Sequence, residues 1–168
     1  MTIVRVSRYF YWIVEAGSFP VDIDPAASGT GLVSATGSTG LVTTGTGSGP
    51  VDVQAEVMRA DPGVVLDDWD EIAEVGIRTS SGSFIITAFD GYVLDTLPLL
   101  DGAGEYCLRV HARGRDAASQ IFTPLDEVLE HHLLQLWPAT VASPRLLVSR
   151  DEFGLRFGRR LRPLFPRG

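Results

Sequence analysis

The chain has 168 residues and a net charge of −7, and all 14 of its basic residues are arginine. Without lysine there can be no P-loop, no Schiff-base chemistry and no lysine beside the carboxylates of a metal-dependent nuclease site. An acidic chain also repels phosphate backbones, so general nucleic-acid binding is disfavoured.

Charge is uneven along the chain. Residues 1–144 hold 7 arginines against 19 acids, and residues 145–168 hold 7 arginines against 2. The reading is therefore one β-domain over 1–144 and an Arg/Pro-rich extension over 145–168 that folds back on the acidic body. An apolar fraction of 45% is enough for a core. A lone cysteine, Cys107, excludes an intrachain disulfide and fits a reducing, cytoplasmic setting. Arg5 and Arg8 interrupt the N-terminal apolar run, which therefore does not read as a signal peptide. No apolar stretch approaches membrane-spanning length.

Residues 3–14, IVRVSRYFYWIV, predict one strand from their β-branched and aromatic content. Residues 25–50 are rich in Gly, Thr and Ser. Gly31-Leu32-Val33-Ser34 returns nine residues later as Gly40-Leu41-Val42-Thr43, which favours a hairpin over a linker. The glycines form no dinucleotide fingerprint. Val51–Met58 alternates as a half-buried strand. The acidic run Asp67-Asp68-Trp69-Asp70-Glu71 predicts a solvated turn, with a short helical turn over 66–74 and Trp69 inserted in the core. Ala73–Thr79 and Ser83–Phe89 pair across a turn at Ser80-Ser81-Gly82. Asp90-Gly91 turns again, and Tyr92–Leu100 follows as an edge strand. Tyr106, Leu108, Val110 and Ala112 alternate with polar residues, the antiparallel signature. A polar connection over 114–128 carries a helical turn at Thr123–Leu129, and Glu130–Trp137 is a last core strand.

Many short strands, tight turns and little helix predict an all-β fold, an antiparallel β-sandwich of jelly-roll or Greek-key type, with a small closed barrel as the alternative.

No catalytic signature stands out. Asp67, Asp68, Asp70 and Glu71 lack the spacing of a calcium loop, and they read as an acidic contact surface for a basic partner. A second cluster comprises Arg109, His111, Arg113, His131 and His132. His131 and His132 face opposite ways on a strand and cannot share a metal. The arginine row reads as paired with carboxylates on a neighbouring strand. As an alternative, the cluster supports acid–base work in a small His-dependent phosphodiesterase or ribonuclease-like enzyme. A further alternative is a carbohydrate-binding sandwich with Tyr9 and Tyr11 as its stacking platform. No metal or cofactor is expected.

The hairpin Trp69-Asp-Glu-Ile-Ala-Glu-Val-Gly-Ile-Arg-Thr-Ser-Ser-Gly-Ser-Phe-Ile, the strand Gly104-Glu-Tyr-Cys-Leu-Arg-Val-His and the closing strand Leu133-Leu-Gln-Leu-Trp137 follow an aromatic-rich first strand. In this order they resemble the competence protein J family, small bacterial β-sandwich proteins that inhibit a nuclease of DNA uptake. The resemblance spans residues 69–137; the Gly-rich segment and the Arg-rich tail depart from that family's compact plan. It implies a β-fold and a non-enzymatic role as a protein-binding inhibitor or immunity factor. The implied partner is another protein, a basic nuclease or toxin, with neither nucleic acid nor membrane involved. No site residue transfers by motif.

Overall fold

The computed structural model describes residues 2–88 and 92–166. It is nearly all β: β1 (Thr2–Ser7), β2 (Phe10–Glu15), β3 (Val33–Thr36), β4 (Thr39–Thr43), β5 (Ser48–Val57), β6 (Glu71–Thr79), β7 (Ser83–Thr87), β8 (Val93–Pro98), β9 (Gly104–Arg113), β10 (His131–Pro138) and β11 (Arg145–Ser149). The helical elements are α1 (Arg115–Ser119) and a 3-10 turn at Phe153–Phe157. The predicted end of one strand at Phe89 and the turn at Asp90-Gly91 lie outside the described residues.

All the strands belong to one hydrogen-bonded sheet, in the order β11-β6-β9-β10-β5-β1-β2-β4-β3, with the β7–β8 hairpin joined to β2. The sheet curls over its own core into a half-barrel. At the two approaching ends, the Arg78 amide donates to the Gly37 carbonyl, and a side chain at Gly40 of β4 would meet Leu108 and Ile77. The predicted strand content is present, but the ladder runs continuously rather than in two separate sheets, and the expected pairing of Ala73–Thr79 with Ser83–Phe89 does not form: β6 lies between β9 and β11, and β7 pairs with β2 and β8. The expectation of purely antiparallel pairing meets one exception: β5 and β10 run parallel, Asp52 opposite His131. The long crossover through β6–β9 brings them side by side, as a parallel pair requires.

The core follows the period-2 pattern. Val4 and Val6 of β1, Val51 and Val53 of β5, Ala73, Val75 and Ile77 of β6, Leu108 and Val110 of β9, and Leu134 and Leu136 of β10 are buried together. The single strand expected over 3–14 is instead a hairpin. Arg8 (φ 63°) and Tyr9 (φ 69°) both take the left-handed conformation and reverse the chain, so that Ser7 pairs with Phe10. This is the geometry of a two-residue type I′ turn without the Asn or Gly that usually marks it. The reversal flips the faces: Tyr11 and Ile13 join Val4 and Val6 in the core, while Trp12 points away.

The Gly-rich segment forms the expected hairpin, with Val33 opposite Val42 and Ser34 opposite Leu41. It is largely buried. At Gly45 any side chain would collide with the Arg115 backbone, so glycine allows the close approach of two main chains there. No helix forms at 66–74 or 123–129; the helix of the polar connection is α1. The arginine-rich tail packs on the rest of the sheet. It supplies β11 as the edge neighbour of β6, and Phe153 and Phe157 pack against Tyr9, with ring centroids 6.1 and 6.2 Å away. No helix among the described residues is long and apolar enough to cross a membrane.

Candidate functional site

The outer face of β1–β5–β10–β9–β6 gathers most of the polar residues singled out in the sequence. Register sorts them into rows that cross the strands. One row is Arg145–Glu74–Arg109–Gln135–Glu56. Arg109 is buried in it. Its Nε donates to Glu74 (2.9 Å), Nη1 to the Gly63 carbonyl (2.7 Å) and to Gln135 (3.3 Å), and Nη2 to Asp61 (3.0 Å). Nη2 also pairs with Glu74 at 2.8 Å, and the guanidinium lies 4.5 Å from the Trp137 ring centroid. All five donors of the guanidinium are engaged. The pairing of Arg109 with a neighbouring-strand carboxylate is as the alternation implied, and nothing remains with which it could bind an anion.

The next row is Ile72–His111–Leu133–Gln54. His111 is buried under the Trp69 ring, 5.3 Å between centroids. Its Nδ1 lies 3.0 Å from the Leu133 carbonyl and so donates to it. Burial first, with Arg109 adding, drives its pKa down to about 4. A neutral, covered imidazole of this kind is a poor proton carrier at neutral pH.

The last row is Arg113–His131–Asp52–Ile3. His131 Nδ1 lies 3.0 Å from Asp52 Oδ2, and the imidazole is about a third exposed (36%). Asp52 is almost fully buried, and its Oδ1 has no hydrogen-bond partner among the described residues. Arg113 is exposed and lies over Trp69, 5.2 Å from the ring centroid.

His132 faces the opposite way, as strand alternation requires. It is fully enclosed between the Tyr11 hydroxyl (2.8 Å from Nδ1) and Glu130 Oε1 (2.8 Å from Nε2). Glu130 also accepts from the amides of Gly45 and Thr46 and from the Thr46 hydroxyl. Burial raises the Glu130 pKa, but His132 and Thr46 together leave it net lowered. Burial, then Glu130, raises that of Tyr11. The consistent assignment is Tyr11 O–H to Nδ1 and Nε2–H to ionised Glu130. The arrangement has the form of an acid–base relay, but no substrate can reach it. It acts as a polar lock inside the core. The five residues of the second cluster are therefore divided among two faces and separate rows. The stacking platform does not form either, because Tyr11 is fully buried and Tyr9 packs on the tail.

The acidic run is also divided. Asp67 is almost fully exposed (98%) and Asp68 is exposed. Asp70 is half-buried and accepts from the Gly114 amide. Glu71 is fully buried and does not belong to a surface patch. Strand alternation at the start of β6 turns it inward, where its Oε1 accepts from the amides of Arg150 and Asp151 and from Arg159. Trp69 packs half-buried on a small outer cluster with Val64, Leu66, Ile72, Leu147 and Val148, apart from the main core where it was expected. Beside Glu71, Arg115 is fully buried and grips Asp151 through Nε (2.6 Å) and Nη2 (3.0 Å), as well as the Gly31 carbonyl. This polar plug of Arg115, Asp151, Glu71 and Arg159 was not anticipated from the sequence. Among the described residues, no group of three or more His, Cys, Asp or Glu side chains is placed to hold a metal ion.

The fold defines a class of nearly all-β proteins built on one curled, mixed sheet. Within it, the chain shares the fold of ComJ from Bacillus subtilis, inhibitor of the DNA degrading activity of NucA. The TM-score is 0.58 at 10% identity, over 83% of this chain and 94% of that one. The family resemblance read from residues 69–137 thus holds at the level of fold. A second solved structure, of crocagin biosynthetic gene J, superposes with a TM-score of 0.52 at 14% identity, over 82% of this chain and 95% of that one. No protein-family model and no curated protein matches the sequence.

Proposed function

We propose that the protein is a non-enzymatic, protein-binding inhibitor of a nuclease. The observation that carries this reading is the shared fold with ComJ over most of both chains. The disposition of the reactive side chains is consistent with it: Arg109, His111 and His132 are buried and engaged in internal contacts. Inhibitors of nucleases work by occupying a surface that binds DNA, and such surfaces are basic. Asp67 and Asp68 are the exposed remainder of the acidic run and the contacts proposed for that basic rim. The protein acts in the cytoplasm in this reading.

The experiment is recovery of a partner on the immobilised full chain, followed by assay of DNA degradation by that partner with increasing amounts of free protein. Stoichiometric loss of nuclease activity is the expected result. A partner without nuclease activity, or a nuclease that is bound but not inhibited, would overturn the reading.

A further inference from the structure

The loop between β5 and β6 crosses only half of the outer face. Gly63 and Asp61 reach Arg109, and Trp69 covers His111, so the β6–β9 half is roofed. On the β10–β5–β1 half, Gln54, Glu56, Ile3 and Arg5 are exposed, and Arg113 stands exposed at the boundary. On this half Asp52 is held by His131 and Glu56 by Gln135, and at the boundary Asp70 accepts from the Gly114 amide. The side chains of Arg5 and Arg113 form no hydrogen bond or ion pair with another described residue, and the Arg113 guanidinium lies over the Trp69 ring. His131 is anchored through Nδ1 by an almost fully buried carboxylate, which leaves Nε2 for a ligand. Arg113 and His131 are directly opposed across the β9–β10 ladder, roughly 5 Å apart at Cβ. Arg113 and, once its Nε2 takes up a proton, His131 offer two donors at that spacing beside an indole ring, which suits one carboxylate. Arg and Trp are also the residues that dominate protein-interface energetics.

We propose that Arg113 and His131, with Asp52 holding His131 in place and Trp69 alongside, form the contact for the metal-binding carboxylates of the nuclease partner. This rests on the inhibitor reading above. Charge complementarity selects the occupant. The pair is bordered by exposed Asp67 and Asp68 on the Trp69 loop. A continuous polyanion such as DNA would meet those acids and a chain of net charge −7. A nuclease active site has the matching pattern, with carboxylates that hold its metal at the centre and DNA-binding cations around them. Arg113, with His131 protonated as the partner's carboxylate binds, thus takes the place of the metal, while Asp67 and Asp68 meet the rim.

The test has two arms, both on the full chain. In the first, inhibition of the recovered nuclease is measured for wild type, Arg113→Gln and His131→Gln, with melting temperatures checked for each. The expected result is that each substitution weakens inhibition by about ten-fold or more, with the melting temperature unchanged for Arg113→Gln and lowered for His131→Gln, which takes from buried Asp52 its partner. Wild-type inhibition should also weaken as magnesium is raised. If both variants inhibit like wild type, the contact is refuted and the inhibitor reading survives. In the second arm, the three histidine ring signals are followed by NMR during addition of the peptide Arg-Asp-Asp-Arg or of a single-stranded DNA oligonucleotide. His131 should shift saturably with the peptide and at lower concentration than with DNA, while enclosed His111 and His132 stay fixed. A stronger response to DNA, or no response of His131 to millimolar peptide, overturns the proposal even if no nuclease is ever inhibited.

Discussion

Glu71→Gln should flatten the pH dependence of stability on the alkaline side. Glu71 lies fully buried at the inner end of β6. Burial first and Asp151 second push its carboxyl up to about 8, against the pull of Arg115 and Arg159. In the unfolded chain the same group titrates near 4.5. The folded state therefore holds this proton more tightly. Its contribution to stability is complete below the unfolded value and is lost as pH rises through the folded one. Where the two states differ by one proton, the slope is about 1.4 kcal/mol per pH unit. His111 acts with the opposite sign but only below its unfolded value of 6.5, so the informative window lies above that. From about pH 6.5 to about pH 8, Glu71 should cost the wild type roughly 2 kcal/mol. Glutamine keeps an acceptor for the Arg150 and Asp151 amides and removes the titration. Urea unfolding followed by tryptophan fluorescence at several pH values in this window measures both proteins. A wild type whose stability is flat there, or a variant that keeps the full slope, would show that Glu71 does not hold this proton.

Asp67→Asn with Asp68→Asn should slow association with the proposed nuclease partner and weaken its dependence on salt, leaving dissociation and melting temperature nearly unchanged; binding kinetics over a salt series measure this. Trp69→Ala should destabilise by roughly 1–3 kcal/mol, below the range for a fully buried tryptophan because the ring is only half covered, as denaturant unfolding would report. His111 should remain neutral down to about pH 4 in a histidine NMR titration, and the stability it contributes is lost as pH falls from its unfolded value toward that point.

Side-chain alternation carried much of the fold. Tyr106, Leu108, Val110 and Ala112 alternate in sequence and share the core. The Leu-Val pairs of the Gly-rich segment were a sound signal that it packs as a hairpin. The first hairpin was hidden because Arg8 and Tyr9 carry no turn signature. Their left-handed backbone coincides with stacking of Tyr9 on Phe153, a contact too distant in sequence to anticipate. β11 was obscured by the arginines around Leu146-Leu147-Val148. The site was less legible than the fold. Asp67 and Glu71 look alike in a run of acids, and only the onset of β6 sends one to solvent and the other to the core. Arg115, Asp151 and Glu130 carried no local cue, since a buried charge is defined by partners elsewhere in the chain. Asp52 was visible only as a polar position on a half-buried strand, and its link to His131 crosses 79 residues.

The stacking of Tyr9 on Phe153 and the parallel pairing of β5 with β10 also bear on synthesis. A ribosome delivers the first hairpin long before the aromatic residues that brace its turn, and β5 long before its neighbour β10. Neither early element can complete its contacts until the last part of the chain emerges. Contacts of such long sequence range slow folding and leave partly paired strands exposed in the meantime. The nascent protein therefore has a late commitment point, and a transcript cut short before Phe153 would yield a chain whose first turn has lost its support.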